Sequence, residues 1–115
     1  MTTLYGISNC DTIKKAKAWL NDHEIEFTFH DYRKDGLDEA HLKSWCNSLG
    51  WEQLLNKRGT TWRKLDEAQK AAINGDLAIE LMLQQPAMIK RPLLITDDSQ
   101  LLGFKAESYA ALFNV

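Results

Sequence analysis

Residues 3–20 read TLYGISNCDTIKKAKAWL, and the change of pattern inside this stretch decides the fold. Thr3, Leu4, Tyr5 and Ile7 supply strand formers and predict a short strand over residues 2–7. From Asp11 the apolar period changes. Ile13, Ala16 and Leu20 fall on one helical face while Lys14, Lys15 and Lys17 lie off it, which predicts a helix to about His23. A second strand is expected over residues 26–31, where Phe27 and Phe29 alternate with polar residues. Strand, helix, strand in this order implies a right-handed parallel crossover. Cys10 stands at the junction of the first strand and the first helix.

The middle of the chain reads as helical. Asp38 is placed to cap a helix with Leu42, Trp45, Cys46 and Leu49 on its apolar face, ended by Gly50. A short helix is expected over residues 52–55 and a polar loop over 57–61. Asp66-Glu67-Ala68-Gln69 has capping-box spacing, Asn74-Gly75 is a helix-stop signal, and a last helix runs from Asp76 to about Gln85 before Pro86. Leu93 to Thr96 is a compact apolar strand, a turn follows over 97–100, and residues 101–104 return as its hairpin partner. Residues 107–113 close the chain as a helix. The order βαβ…ββα with helices between predicts an α/β protein with a thioredoxin-like mixed β-sheet. One domain over 1–115 is expected, its core from residues 1–35 and 88–115, with a helical insertion over 36–87.

The bulk properties narrow the function. The chain has 115 residues, is 44% hydrophobic and carries a net charge of −2 with both signs mixed. That balance gives no electrostatic footprint for nucleic acid and no apolar run for a membrane. The N-terminus has neither the basic start nor the apolar stretch of a signal peptide, which points to the cytoplasm, and a monomer is the default for a domain of this size. The two cysteines are not a disulfide framework, and His23, His30 and His41 have no metal-ligand spacing.

Cys10 at a helix start has a chemical meaning. The first amides of a helix lack intrahelical partners and favour negative charge, so a thiolate there is stabilised and nucleophilic. Asn9, Thr12 and the amides of Asp11 to Ile13 surround the position, and Lys14 and Lys15 add positive charge. The Asp11 carboxylate opposes it. Ile13 occupies the place where a Cys-x-x-Cys motif has its second thiol, so a mixed disulfide at Cys10 needs an outside thiol, such as glutathione, to resolve it, or Cys46 if the fold brings it close. Cys46, on an apolar stripe, reads as core. Arg58 lies beside Gly59 in a polar loop, Arg91 is held by Pro92 at a strand entrance, and Lys105 follows the last strand. These cations suit carboxylate or oxyanion ligands.

Four segments, LYGISNCDTIKKAKAWL (4–20), LLNKRGTTWRKL (54–65), MIKRPLLI (88–95) and LLGFKAESY (101–109), together resemble the ArsC/Spx family of thioredoxin-like proteins, nearest its YffB-like branch. The resemblance runs the whole length. It implies a catalytic cysteine at Cys10 and anion-binding positions at Arg58, Arg91 and Lys105, where arsenate reductases carry three arginines. It also implies a cis bond between Arg91 and Pro92. Lysine at 105 keeps the charge and loses the planar fork, and Gly6-Ile7-Ser8-Asn9 lacks the histidine and proline of the arsenate-reductase loop. The YffB-like branch implies a glutathione-dependent monothiol reductase acting through a mixed disulfide. Arsenate reduction coupled to glutathione and glutaredoxin is one alternative. A non-catalytic, Spx-like regulator that binds RNA polymerase is another, although Ile13 leaves no Cys-x-x-Cys switch.

Overall fold

The computed structural model describes residues 1–115. In chain order the elements are β1 (Thr3–Gly6), α1 (Asp11–Asp22), β2 (Thr28–Asp31), α2 (Glu39–Leu49), α3 (Trp51–Leu54), α4 (Thr60–Arg63), α5 (Glu67–Ala71), α6 (Gly75–Gln84), a 3₁₀ turn (Pro86–Met88), β3 (Leu93–Ile95), β4 (Gln100–Leu102) and α7 (Ala106–Phe113). This is the expected mixed α/β, thioredoxin-like order. No helix is long and apolar enough to cross a membrane.

The chain divides into a sheet unit, Met1–Asp35 with Arg91–Val115, and a helical unit, Gly36–Lys90. In the sheet unit the strand order is β2-β1-β3-β4. β1 is parallel to β2 and antiparallel to β3, and β4 extends the sheet antiparallel to β3. The register aligns one apolar residue from each strand. Phe29, Leu4, Leu94 and Leu101 are successive partners across the sheet. Leu4 and Leu94 are fully buried in one cluster with Ala16 and Leu20 of α1 and Tyr109 of α7. The stripe read as Ile13, Ala16 and Leu20 is therefore the buried face of α1. Its period of about 3.6 residues brings these side chains over the sheet.

The helical unit is built on caps and short turns. Asp38 accepts from the Ala40 amide and starts α2, whose buried residues are Leu42, Trp45 and Cys46. Asp66 and Gln69 form a reciprocal capping box at α5. Three expectations are corrected here. Asn74-Gly75 does not stop a helix. Asn74 caps α6, accepting from the Leu77 amide at 2.9 Å, because the same short polar side chain serves either helix end. A methyl on Gly75 would meet the Trp51 indole at 3.2 Å, so this position lets α6 begin against α3. Residues 60–63 form a helical turn instead of open loop, closed by hydrogen bonds from the Arg63 amide to the Gly59 carbonyl and from the Lys64 amide to the Thr60 carbonyl. Finally, residues 88–90 cluster with the helical unit. The Leu55–Ile89 bridge and hydrogen bonds from the Asn56 amide to the Met88 carbonyl and from the Lys90 amide to the Leu54 carbonyl tie them there.

Gly6 sets how closely β1 approaches α1. A Cβ at this position would lie 2.3 Å from Ile13 Cδ1, and Ile13 is fully buried. Gly6→Ala should therefore destabilise the protein by about 1–3 kcal/mol through overpacking. Adding Ile13→Val removes Cδ1 and should restore part of the loss. Urea unfolding of the two single variants and the double variant measures this coupling.

Candidate functional site around Cys10

The β1–α1 connection is four residues, Ile7 to Cys10, and each end is fixed by packing. Ile7 is buried while Ser8 and Asn9 are exposed. Cys10 is the N-cap of α1, with extended backbone at φ −145° and ψ 128°. Its carbonyl accepts the Lys14 amide at 3.1 Å, the first turn of the helix. The thiol is free and half-buried. It takes no capping hydrogen bond from the first-turn amides, so the grip expected from those amides is not made by the thiol in this conformation. Asp11 places a carboxylate in the first turn, where it faces the helix dipole favourably. Thr12 is half-buried and Ile13 is buried under Gly6. The slot that holds a second cysteine in dithiol motifs is thus filled by core.

Arg91 belongs to the same unit. It is half-buried, its bond to the buried Pro92 is cis, and its Cβ would lie 3.9 Å from a methyl placed on Gly6. The chain before β3 therefore runs beside the end of β1, where the Cys10 loop begins. The Pro92 carbonyl accepts the Gly103 amide at 2.8 Å. Lys105 is the exposed N-cap of α7, and its carbonyl accepts the Tyr109 amide at 3.1 Å. Arg58 lies in the helical unit, exposed, with its amide donating to Asn56 Oδ1 at 3.1 Å. None of these three cations is in an ion pair. Cys46 is buried on α2, and burial pushes its thiol above the ordinary value. A thiol that resists ionisation and is out of solvent is a poor nucleophile.

Asp31 is a residue that the sequence pattern did not single out. It ends β2, opposite Gly6, and is only 6% exposed. Its Oδ1 accepts the amides of Arg33 at 2.8 Å and Lys34 at 3.3 Å. Its Oδ2 accepts the Ser8 amide at 3.2 Å. Burial alone would raise the carboxyl. The hydrogen bonds from Arg33, from the Ser8 hydroxyl and amide, and from Lys34 outweigh it and hold it below the ordinary carboxylate range. The available signal was an aspartate opening Asp-Tyr-Arg-Lys-Asp-Gly, a turn sequence. A cleft of about 700 Å³ at the other end of α1, between Met1, Asn21, Ile25 and Phe27, contains none of the site residues.

Comparison with known proteins places this geometry in context. The family model described as the ArsC family matches residues 5–112. The solved structure of the YFFB protein superposes with a TM-score of 0.91 at 54% identity, over 96% of this chain and 97% of that one. An arsenate reductase (ArsC) related protein from Brucella melitensis gives a TM-score of 0.81 at 51% identity, over 99% and 95%. The global transcriptional regulator Spx of Streptococcus pyogenes is 27% identical over 117 residues, which is 99% of this chain and 86% of that protein.

The lowered Asp31 carboxyl gives a signed pH dependence. Its contribution to stability is complete above about pH 4, the unfolded aspartate value, and is lost as pH falls through the lower folded value. Asp31→Asn should therefore unfold more easily than wild type at neutral pH, and the gap should narrow steadily below about pH 4. Urea titrations repeated at successive pH values read this directly.

Proposed function

Because this chain belongs to the ArsC family, we propose that it is a glutathione-dependent monothiol reductase with Cys10 as the nucleophile. The Cys10 thiolate attacks the glutathionyl sulfur of a mixed disulfide R–S–SG. A Cys10–glutathione disulfide forms, the S–S bond of the mixed disulfide breaks, and the leaving thiolate R–S⁻ takes a proton as R–SH. The thiolate of a second glutathione attacks the glutathionyl sulfur on Cys10. That step releases glutathione disulfide and returns the Cys10 thiolate. The net change is R–S–SG plus glutathione to R–SH plus glutathione disulfide. Two electrons pass from two glutathione thiols to the substrate disulfide.

What supports this chemistry is the position of Cys10: a free, half-exposed thiol at a helix N-cap, with Ile13 buried where a resolving cysteine would be. The only other thiol, Cys46, is buried, so resolution falls to an external thiol. Arg91 and Lys105, free of ion pairs, supply charge for the carboxylates of glutathione. The same residues suit an arsenate oxyanion, and the ArsC related structure from Brucella melitensis keeps that substrate in view. The likeness to Spx favours a second reading, a regulator acting through a protein partner such as RNA polymerase.

Turnover is measured as glutathione-dependent reduction of an S-glutathionylated peptide, coupled to reduction of the glutathione disulfide formed. Cys10→Ser should lower it to the uncatalysed background. Arg91→Ala and Lys105→Ala should each raise KM for glutathione by about tenfold, with a smaller change in kcat. Full turnover by Cys10→Ser would sink the reductase. Binding of RNA polymerase by a Cys10→Ser protein in the absence of any wild-type turnover would instead favour the regulator.

A further inference from the structure

We propose that Asp31 is a positioning residue for Cys10: its carboxylate fixes the entry of the β1–α1 loop so that the thiol is presented in one orientation. This rests on the reductase reading above, in which Cys10 attacks along a defined line.

The two oxygens of Asp31 have different tasks. Oδ1 caps the residue's own turn, accepting from Arg33 and Lys34. Oδ2 is not needed for that turn. It crosses to the Ser8 amide, 23 positions back in the chain. Asp31 is itself braced, because its amide donates to Asp35 Oδ2 at 3.0 Å and its carbonyl accepts the Asp35 amide at 2.7 Å. One residue further on, the Tyr32 amide donates to the Gly6 carbonyl at 2.9 Å. The end of β2 thus holds the loop at Gly6 and again at Ser8, with the buried Ile7 between them.

Past Ser8 little else restrains the chain. Ser8 and Asn9 are exposed, so packing does not set their path. Asn9 is the one residue between the anchored amide and Cys10. Below them Ile13 closes against Gly6, which fixes the helix but not the loop that enters it. The Ser8–Asp31 bond is the polar contact that decides where the chain arrives at the N-cap. Disulfide exchange needs the attacking sulfur in line with the S–S bond, and small misplacements of a reacting atom cost large factors in rate.

Asp31→Asn separates this role from simple stability. Asparagine keeps the volume and one acceptor. With its carbonyl on Arg33 and Lys34, its NH₂ faces the Ser8 N–H, two donors opposed. The turn survives and the Ser8 amide loses its acceptor, so that only the Ser8 hydroxyl can still bond the side chain at 31. The full-length protein is treated with glutathione disulfide or with iodoacetamide, and the rate at Cys10 is read by site-resolved mass spectrometry. Deuterium exchange of the Ser8 amide is followed in parallel. In Asp31→Asn the Ser8 amide should exchange faster. Glutathionylation of Cys10 should slow by about tenfold or more, while alkylation by the small, freely oriented iodoacetamide slows less.

Unchanged Cys10 rates in the folded variant overturn the proposal, whatever the Ser8 amide does. A rise in both rates also overturns it, because Asp31 would then act through its charge on the thiol. If Asp31→Asn does not fold, Ser8→Pro removes the same bond from the other side and is judged by the same rates. If wild-type Cys10 forms no glutathione disulfide at all, the reductase reading fails. The iodoacetamide rate then decides the role of Asp31 alone, a fall supporting positioning and no change overturning it.

Discussion

Strand β1 is held along both edges, parallel to β2 on one side and antiparallel to β3 on the other. The sheet unit depends on this double pairing. It brings residues 28–31 and 93–95 against residues 3–6, and it fixes the row of Phe29, Leu4, Leu94 and Leu101 on which α1 and α7 pack. A slip of one residue in either pairing would turn the slipped strand's member of that row away from the layer. The same pairing fixes where β1 ends. At that end Gly6 lies against Ile13, Arg91 passes beside Gly6, and Asp31 faces Gly6 in register. The site around Cys10 is a consequence of how the central strand is seated.

Much of this was legible because it is local. The Ile13, Ala16 and Leu20 stripe is a helical period and is buried as such. Asp38 and Asp66 are caps by residue type and spacing, and both act as caps. Leu93 to Ile95 and the return at Gln100 to Leu102 form the expected antiparallel pair. The cis bond at Arg91–Pro92, implied by family resemblance, is present. What the sequence did not yield depends on distant partners or on ambiguous residues. Asn74 caps a helix start where the Asn-Gly pair suggested a stop. Residues 88–90 join the helical unit because of a bridge to Leu55, more than thirty positions earlier. Asp31 reads as the polar end of a strand until the fold places it next to Ser8. Local pattern carries no information on such a pair.

The two cysteines stand in different environments. Cys46 lies among Leu42 and Trp45 on the buried face of α2, and desolvation raises its thiol. It behaves as a small apolar side chain. Cys10 is at a helix N-cap, half-exposed, reached by a loop whose ends are pinned and whose tip is open. Under the proposed function the absent second thiol is part of the design. Ile13 fills that slot with core, and a diffusible thiol takes over the resolving step. The unpaired cations at Arg91 and Lys105 suit an anionic co-substrate of that kind.

Under the proposed function, folding turns Cys10 into the reactive thiol of this chain. The most direct test is the rate of iodoacetamide alkylation at each cysteine, resolved by mass spectrometry, in native protein and in the same protein unfolded by urea at equal pH. Cys10 should react faster in the native chain than in the unfolded one, while Cys46 is protected until the protein unfolds. A native Cys10 that reacts no faster than the unfolded residue, or that is protected alongside Cys46, would contradict it.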